Sequence, residues 1–381
     1  KATQATNNDT NFQMIRSELM NIAEPTYKDL LHAARKGLRI LTQYEHPIKA
    51  EIRTWKDKLT EQLNPKFSSH LYSQSDTRLG NIESVPLEYA DKEEWVDGRI
   101  IIRDNFDALL ESNDKLLLFG EDVGKIGDVN QGLEGMQAKY GATRVADTGI
   151  REATIMGQGI GMALRGLRPI AEIQYLDYIL YCLPTLSDDL ASYHYRTAGK
   201  QAVPLIIRTR GHRLEGIWHS GSPMGGIVNL LRGINIAVPR NMTQAAGMYN
   251  TLLEGDEPAI VVESLNGYRL KERKPSNLGK FRIPLGKIEI LKEGADITLV
   301  SYGSTLRMVE AVAKELMHFD IDAEVIDIQT LLPFDLERGI QKSLAKTNRL
   351  LIVDEDVPGG ASAYILQQLI DLQNIFPLLD S

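Results

Sequence analysis

Apolar residues recur at helical spacing in two early stretches, Leu30, Leu31, Ala34, Leu38 and Leu41, then Ile48, Ile52, Trp55, Leu59 and Leu63. This predicts two amphipathic helices. Thr26-Tyr-Lys-Asp29 stands before the first with the spacing of a capping box. Both polar faces mix charge signs, which favours a helical linker packed on a neighbour over a regulatory or membrane-surface helix. Residues 1–24, Asn/Thr-rich at their start, read as a mobile end or linker. Residues 65–97 carry Pro, Ser, Asn and Asp without a period and read as an extended connector.

From Arg99 the pattern becomes alternating helix and strand. Predicted in turn are a helix to about Ser112, strand Leu116–Phe119, helix Glu152–Leu164, strand Pro169–Ile173, a helix from about Tyr181 to Thr197, strands Leu205–Arg208 and Ile234–Val238, helix Thr243–Leu253 and strand Ala259–Val262. Such alternation implies a parallel sheet covered by helices on both faces. The polar stretch Lys271–Pro284 reads as an interdomain crossover. A second alternating unit follows: strand Ile297–Ser301, helix Thr305–Met317, strand Ala323–Asp327, helix Asp335–Leu344, strand Leu350–Val353 and helix Ala361–Leu369. The expected fold class is α/β, divided into a helical linker and connector (1–97), a first domain (98–270), a linker (271–284) and a smaller domain (285–381).

Composition narrows the function. At 381 residues the chain is too long for one ordinary core. Its 43% hydrophobic and 25% charged residues suit a soluble globular enzyme. A net charge of −8 argues against generic nucleic-acid binding, which needs basic residues in excess. No apolar run approaches the ~20 residues that span a bilayer, and no secretion signal opens the chain. Cys182 stands alone, so an intrachain disulfide or cysteine metal site is excluded and a reducing compartment is expected. His32, His46, His70, His194, His212 and His318 show no metal-ligand spacing. The chain opens on Lys1 rather than Met, as a processed or cut product would.

Candidate chemistry centres on Asp147-Thr-Gly-Ile150-Arg-Glu152, then Gly157-Gln-Gly159-Ile-Gly161, then Arg168 to Tyr178. Glu152 follows a strand-like stretch, Thr143–Ala146, and opens a glycine-lined helix, so little bulk separates that backbone from a flat ligand. On position alone, a helix-start carboxylate complementing the macrodipole is the more ordinary explanation. An aromatic after a strand, such as Tyr178, is more often core, and a lone loop histidine, such as His219, more often solvated. The glycine run departs from a dinucleotide fingerprint, lacking a strand and turn at its first glycine and placing its third one position early. Nicotinamide binding is therefore disfavoured.

Together with Gly120-Glu-Asp-Val-Gly124 and Trp218-His219-Ser-Gly-Ser222-Pro223, these strings resemble a thiamine-diphosphate family in one register from roughly Arg99 to Leu369. The family is the beta half of the decarboxylating component of 2-oxo acid dehydrogenase complexes. The resemblance implies a pyrimidine-binding transketolase-like domain and a smaller transketolase C-terminal-like domain, the latter looking truncated at Ser381. It also implies site roles. Glu152 would hydrogen-bond the cofactor's aminopyrimidine ring, and the carbonyl of Ile150 would help hold that ring. Gln174 and Tyr178, 22 and 26 residues after Glu152, match the cofactor-contacting amide and aromatic of branched-chain members. His219 would move a proton during acyl transfer to lipoamide. Gly149, Thr154 and Gly221-Ser-Pro-Met224 depart from the family's proline, glycine and Gln-Ser-Pro-Glu, and Gly255 and Glu257 replace the aspartate and asparagine of relatives that hold potassium.

The family's Gly-Asp-Gly motif for diphosphate and magnesium occurs nowhere in the 381 residues. The resemblance therefore implies an alpha-type half, separate or fused upstream, to hold magnesium and diphosphate. Further expected partners are a second copy of this chain, a lipoylated acyltransferase and a 2-oxo acid, branched-chain first and pyruvate next. A bacterial cytoplasm is expected, with a mitochondrial matrix the alternative. Transketolase or deoxyxylulose-phosphate synthase activity, and a non-catalytic assembly role, stand as rival functions.

Overall fold

The computed structural model describes residues 10–43, 46–212 and 222–380. The chain divides into two compact units, residues 1–69 and 70–381. The first contains helices Thr10–Met20, Tyr27–Ile40 and Pro47–Phe67. The capping box forms: the Thr26 amide and hydroxyl both donate to the Asp29 carboxylate, at 2.9 and 2.6 Å. Residues 10–20 correct the expectation of a mobile end. Phe12, alone among its polar neighbours, is buried with Leu41 and Ile48, and that anchor holds a helix whose composition gives little sign of one.

In the second unit the strands are β1 (Trp95–Asp97), β2 (Leu116–Gly120), β3 (Val145–Asp147), β4 (Arg168–Glu172), β5 (Ile206–Gly211), β6 (Asn235–Ala237), β7 (Ala259–Ser264), β8 (Lys271–Arg273), β9 (Glu289–Lys292), β10 (Ile297–Ser301), β11 (Ala323–Asp327), β12 (Thr330–Leu332) and β13 (Leu350–Ile352). Among the described residues they form a seven-stranded sheet ordered β12-β6-β7-β5-β4-β2-β3, a four-stranded sheet ordered β13-β10-β11-β9 and the pair β1-β8. The large sheet is parallel except for β12, and the smaller except for β9. Thus the later α/β segment lends β12 to the edge of the earlier sheet.

Burial on both faces explains the near-continuous apolar strands. Neighbouring residues point to opposite cores: Ile170, Ile206 and Val261 enter the core that holds Phe106 and Tyr249, while Ala171, Ile207 and Ile260 enter the one that holds Ile155 and Leu186. Helices Gly98–Ser112 and Met242–Glu254 cover the first face, and Glu152–Leu164 helps cover the second.

Two further expectations need correction. The single helix foreseen over Tyr181–Thr197 is an irregular helical run, with 3-10 turns at Leu176–Cys182, a wider π turn at Thr185–Leu190 and α-helix only at Ala191–Arg196. Pro184, inside the run, has no N–H to give the ladder. The helix foreseen at Asp335–Leu344 spans Gly339–Thr347, because the Asp335 carboxylate accepts from the amides of Gly339 and Ile340 at 2.7 and 2.9 Å and caps it from upstream. The extended connector and the crossover have backbone partners. They pair antiparallel, with Trp95 opposite Arg273 and isolated bridges Val85–Arg282 and Tyr89–Pro275, so each supplies the other's backbone partners.

Candidate active site

Strands β2, β3 and β4 end in register, Gly120 pairing with both Asp147 and Glu172. The segments after them therefore emerge together at the carboxyl edge of a parallel sheet, where open α/β folds bind ligands. Glu121 and Asp122 follow β2, Ile150 and Glu152 follow β3, and Gln174 and Tyr178 follow β4. Their loops are tied down. Thr148 N–H donates to the Gly120 carbonyl at 3.0 Å, and the Asp147 carboxylate accepts from the amides of Gly124 and Lys125 at 2.7 and 3.0 Å. A Cβ on Gly124 would lie 2.1 Å from the Gln137 amide and 2.7 Å from Asp147, so only glycine permits this approach.

Glu152 is half-buried at the first position of its helix. Among the described residues its carboxylate takes part in no hydrogen bond or ion pair, leaving a partly desolvated acceptor available to a ligand. Ile150 is 60% exposed, and its carbonyl accepts from the Arg151 guanidinium at 2.7 Å. The Gln174 amide donates to Asp122 Oδ2 at 3.2 Å, while its oxygen accepts nothing from described residues. Tyr178 stands edge-on to Tyr175, ring centres 5.8 Å apart, with Tyr181 beyond at 6.1 Å.

Glu121 joins these groups electrostatically. Burial first, then the charges of Asp122, Glu152 and Glu172, push its carboxyl above the ordinary range, and its own charge helps raise the Tyr178 phenol, whose main cause is burial. In the sequence, Gly120–Gly124 figures only as part of the resemblance, which does not single out this second carboxylate. Burial, then Glu152, pushes the Cys182 thiol up to about 12, so it is inert at neutral pH. His219 lies outside the described residues. Of the helix glycines, Gly159 packs against Leu205, where a Cβ would come within 2.7 Å, whereas Gly157 and Gly161 meet no described neighbour. Close packing within the chain is Gly159's task alone among the three. An open hollow of about 540 Å³ flanks Gln158, Gly161 and Met162, but Ile150, Glu152, Gln174 and Tyr178 do not line it.

Beneath the edge lies a charge network that the sequence did not announce. Arg208 and Arg210 on β5, Glu172 on β4, Glu263 on β7 and Asp128 are all buried. Arg208 donates to Glu172 at 2.5 Å, to Asp128 at 2.8 Å and through two nitrogens to Glu263 at 2.9 and 3.1 Å. Arg210 donates to Glu172 at 2.8 Å and to the Tyr268 hydroxyl at 2.8 Å, and forms an ion pair with Asp128 at 3.0 Å. The Tyr268 and Tyr249 hydroxyls both donate to Glu263. Burial opposes the charge on Asp128, yet Arg210 and Arg208 hold its carboxyl below the ordinary range. The signal was present in a weak form: Ile170-x-Glu172, Ile206-x-Arg208-x-Arg210 and Val261-x-Glu263 put opposite charges at core-facing period-two positions of three strands.

No cluster of three or more His, Cys, Asp or Glu residues suited to a metal occurs among the described residues. Glu257 accepts from the amides of Ser73 and Leu79 at 3.0 and 2.7 Å, so this carboxylate is committed to backbone partners. Glu152, the Ile150 carbonyl and Gln174 are the polar groups at this edge that could hold a flat nitrogen heterocycle, with the Tyr178 ring beside them. Among the described residues nothing comparable fits a magnesium diphosphate.

Comparison with known proteins identifies the domains that carry this edge. Residues 96–271 match the transketolase pyrimidine-binding domain and residues 286–378 the transketolase C-terminal domain. The chain is 32% identical over 279 residues to the pyruvate dehydrogenase E1 component subunit beta of Acholeplasma laidlawii, covering 73% of this chain and 84% of that one. It is 34% identical over 271 residues to the 2-oxoisovalerate dehydrogenase subunit beta of Pseudomonas aeruginosa, covering 67% and 76%. A solved split-gene transketolase, described as an inactive beta4 tetramer, superposes with a TM-score of 0.60 at 21% identity over 72% of this chain and 85% of the other, a likeness of fold.

Proposed function

Because this chain belongs to the transketolase-like family, with the beta subunits of pyruvate and 2-oxoisovalerate dehydrogenases as its relatives, we propose that it is the beta part of a thiamine-diphosphate-dependent 2-oxo acid dehydrogenase. The observation that carries the proposal is the uncommitted Glu152 carboxylate at the sheet edge, with Gln174 and Tyr178 on the next strand's exit. Thiamine diphosphate, when bound, supplies the electron sink for decarboxylation.

Glu152 would hydrogen-bond the aminopyrimidine ring nitrogen and share a proton with it, a role suited to a partly desolvated carboxylate. The Ile150 carbonyl and the Gln174 amide would hold the ring's polar edge, and Tyr178 would cover a face. His219 delivers a proton in the transfer of the acyl group to the lipoyl arm of an acyltransferase. Magnesium and diphosphate belong to an alpha-type half, fused or separate, and the functional assembly includes a second copy of this chain. Exposed apolar residues beside the site, Ile150 at 60%, Leu180 at 55% and Tyr181 at 70%, support a site completed by another chain. The working domain division is residues 98–270 for pyrimidine binding, 271–284 for the linker and 285–381 for the closing domain. Branched-chain 2-oxo acids are the preferred substrates on the strength of Tyr178, with pyruvate second.

The test is reconstitution with an alpha half and measurement of carbon dioxide release from 3-methyl-2-oxobutanoate and from pyruvate. Thiamine-diphosphate-dependent release, faster with the branched substrate, is expected. Absence of release from both would overturn the proposal, and ketol transfer between sugar phosphates would replace it with the transketolase alternative.

A further inference from the structure

We propose that Arg210 is a positioning residue for the cofactor edge: its buried guanidinium sets the backbone of Gln174, and through it the amide that faces the ligand. The inference rests on the assignment of Gln174 to cofactor contact made above.

The β4–β5 ladder carries Gln174 only part of the way. Glu172 is the last residue of β4 paired with β5, opposite Arg208, and the Ile173 amide donates to the Arg208 carbonyl at 3.0 Å. Two residues beyond Glu172, the Gln174 carbonyl has left the ladder, and Arg210 Nη1 reaches it at 3.3 Å while also donating to Glu172 Oε1 at 2.8 Å. One nitrogen therefore ties the last strand residue to the residue that presents the amide. Arg210 itself has little freedom, since its Nε donates to Tyr268 at 2.8 Å, its Nη2 lies 3.0 Å from Asp128 and its side chain is fully buried. At the other end, the Gln174 amide donates to Asp122 Oδ2 at 3.2 Å. Gln174 is thus held by its backbone from below and by its side chain from the β2 loop.

Arg208 provides the control that separates positioning from stability. It sits two residues earlier on the same strand face, is equally buried and makes more hydrogen bonds to carboxylates than Arg210 does, yet donates to neither atom of Gln174. Loss of a buried ion pair would disturb the fold in either case. Only loss of Arg210 removes the donor from Gln174.

The experiment measures thiamine-diphosphate affinity, in the presence of magnesium, for the complex assembled with the alpha half, in Arg210→Lys, Arg208→Lys and Gln174→Ala. Lysine keeps the charge but not the planar fork. The expected result is affinity weakened roughly tenfold in Arg210→Lys and in Gln174→Ala, with less than about a threefold change in Arg208→Lys. Equal weakening in the two lysine variants, or none in Arg210→Lys while Gln174→Ala is weakened, overturns the positioning role. No weakening in Gln174→Ala removes Gln174 from cofactor contact and so overturns the reading beneath it. Should Arg210→Lys not fold, Arg210→Met combined with Glu172→Leu removes one charge of each sign and still strips the donor from Gln174. Tenfold weaker binding by that folded variant supports the role, and wild-type affinity contradicts it.

Discussion

Glu172 and Glu152 are both carboxylates near the carboxyl end of the large sheet, but they stand in opposite circumstances. Glu172 faces the interior of β4, is 2% exposed and accepts from Arg208 and Arg210. Glu152 opens the helix between β3 and β4, partly exposed, and accepts from no described donor. The network around Glu172 is closed upon itself: two arginines, three carboxylates and two tyrosines absorb nearly all of one another's capacity. A satisfied buried charge holds strands in place, whereas an unsatisfied, partly desolvated one is stored capacity for a ligand.

That contrast is sharpest in variants. Arg208→Met leaves Glu263, Glu172 and Asp128 short of a partner in the interior and is expected to cost about 3–5 kcal/mol, measured by denaturant unfolding. A cost below about 1 kcal/mol would mean that the network is not structural. Next in size, His219→Ala in the assembled enzyme is expected to slow acyl transfer to lipoamide by about 100-fold or more, with little effect on decarboxylation followed by an artificial oxidant. Equal losses in both assays would point to a general structural or substrate-binding duty.

The smallest effect concerns His212, whose Nδ1 accepts from the Ser304 amide at 2.9 Å beside the Tyr302 ring, with Glu355 4.0 Å away. Burial, then the charge of Arg307, pushes this imidazole down to about 3. A folded-state value below the unfolded one gives stability that is complete above about pH 6.5 and lost as pH falls toward 3. The slope from this group is at most about 1.4 kcal/mol per pH unit, and His212→Asn, which keeps an acceptor for Ser304, is expected to flatten it. An unchanged acid limb would show that His212 does not titrate in this way.

The same two regions show what could be read from residues alone. Helix Glu152–Leu164 and strands Ile297–Ser301 and Ala323–Asp327 have the predicted bounds, because long periodic or continuously apolar segments announce themselves. Strands β1, β8, β9 and β12 are three or four residues long and owe their conformation to partners distant in sequence, so no local pattern marks them. Glu152 stands out through its glycine-rich setting, and Gln174 only through the family resemblance, by its distance from Glu152. Glu121 and Arg210 do not, since their significance arises only when the register brings β2, β4 and β5 to a common edge.

The central claim is that Glu152 serves chemistry and Glu172 serves the fold. Glu152→Gln and Glu172→Gln, compared for unfolding free energy and for single-turnover decarboxylation in the assembled enzyme, test it most directly. Glu152→Gln is expected to unfold within about 0.5 kcal/mol of wild type and to retain less than a tenth of the decarboxylation rate, with cofactor affinity within about tenfold, while Glu172→Gln loses about 3 kcal/mol of stability. A Glu152→Gln enzyme that keeps more than a tenth of the rate, or that is destabilised as much as Glu172→Gln, would contradict the account.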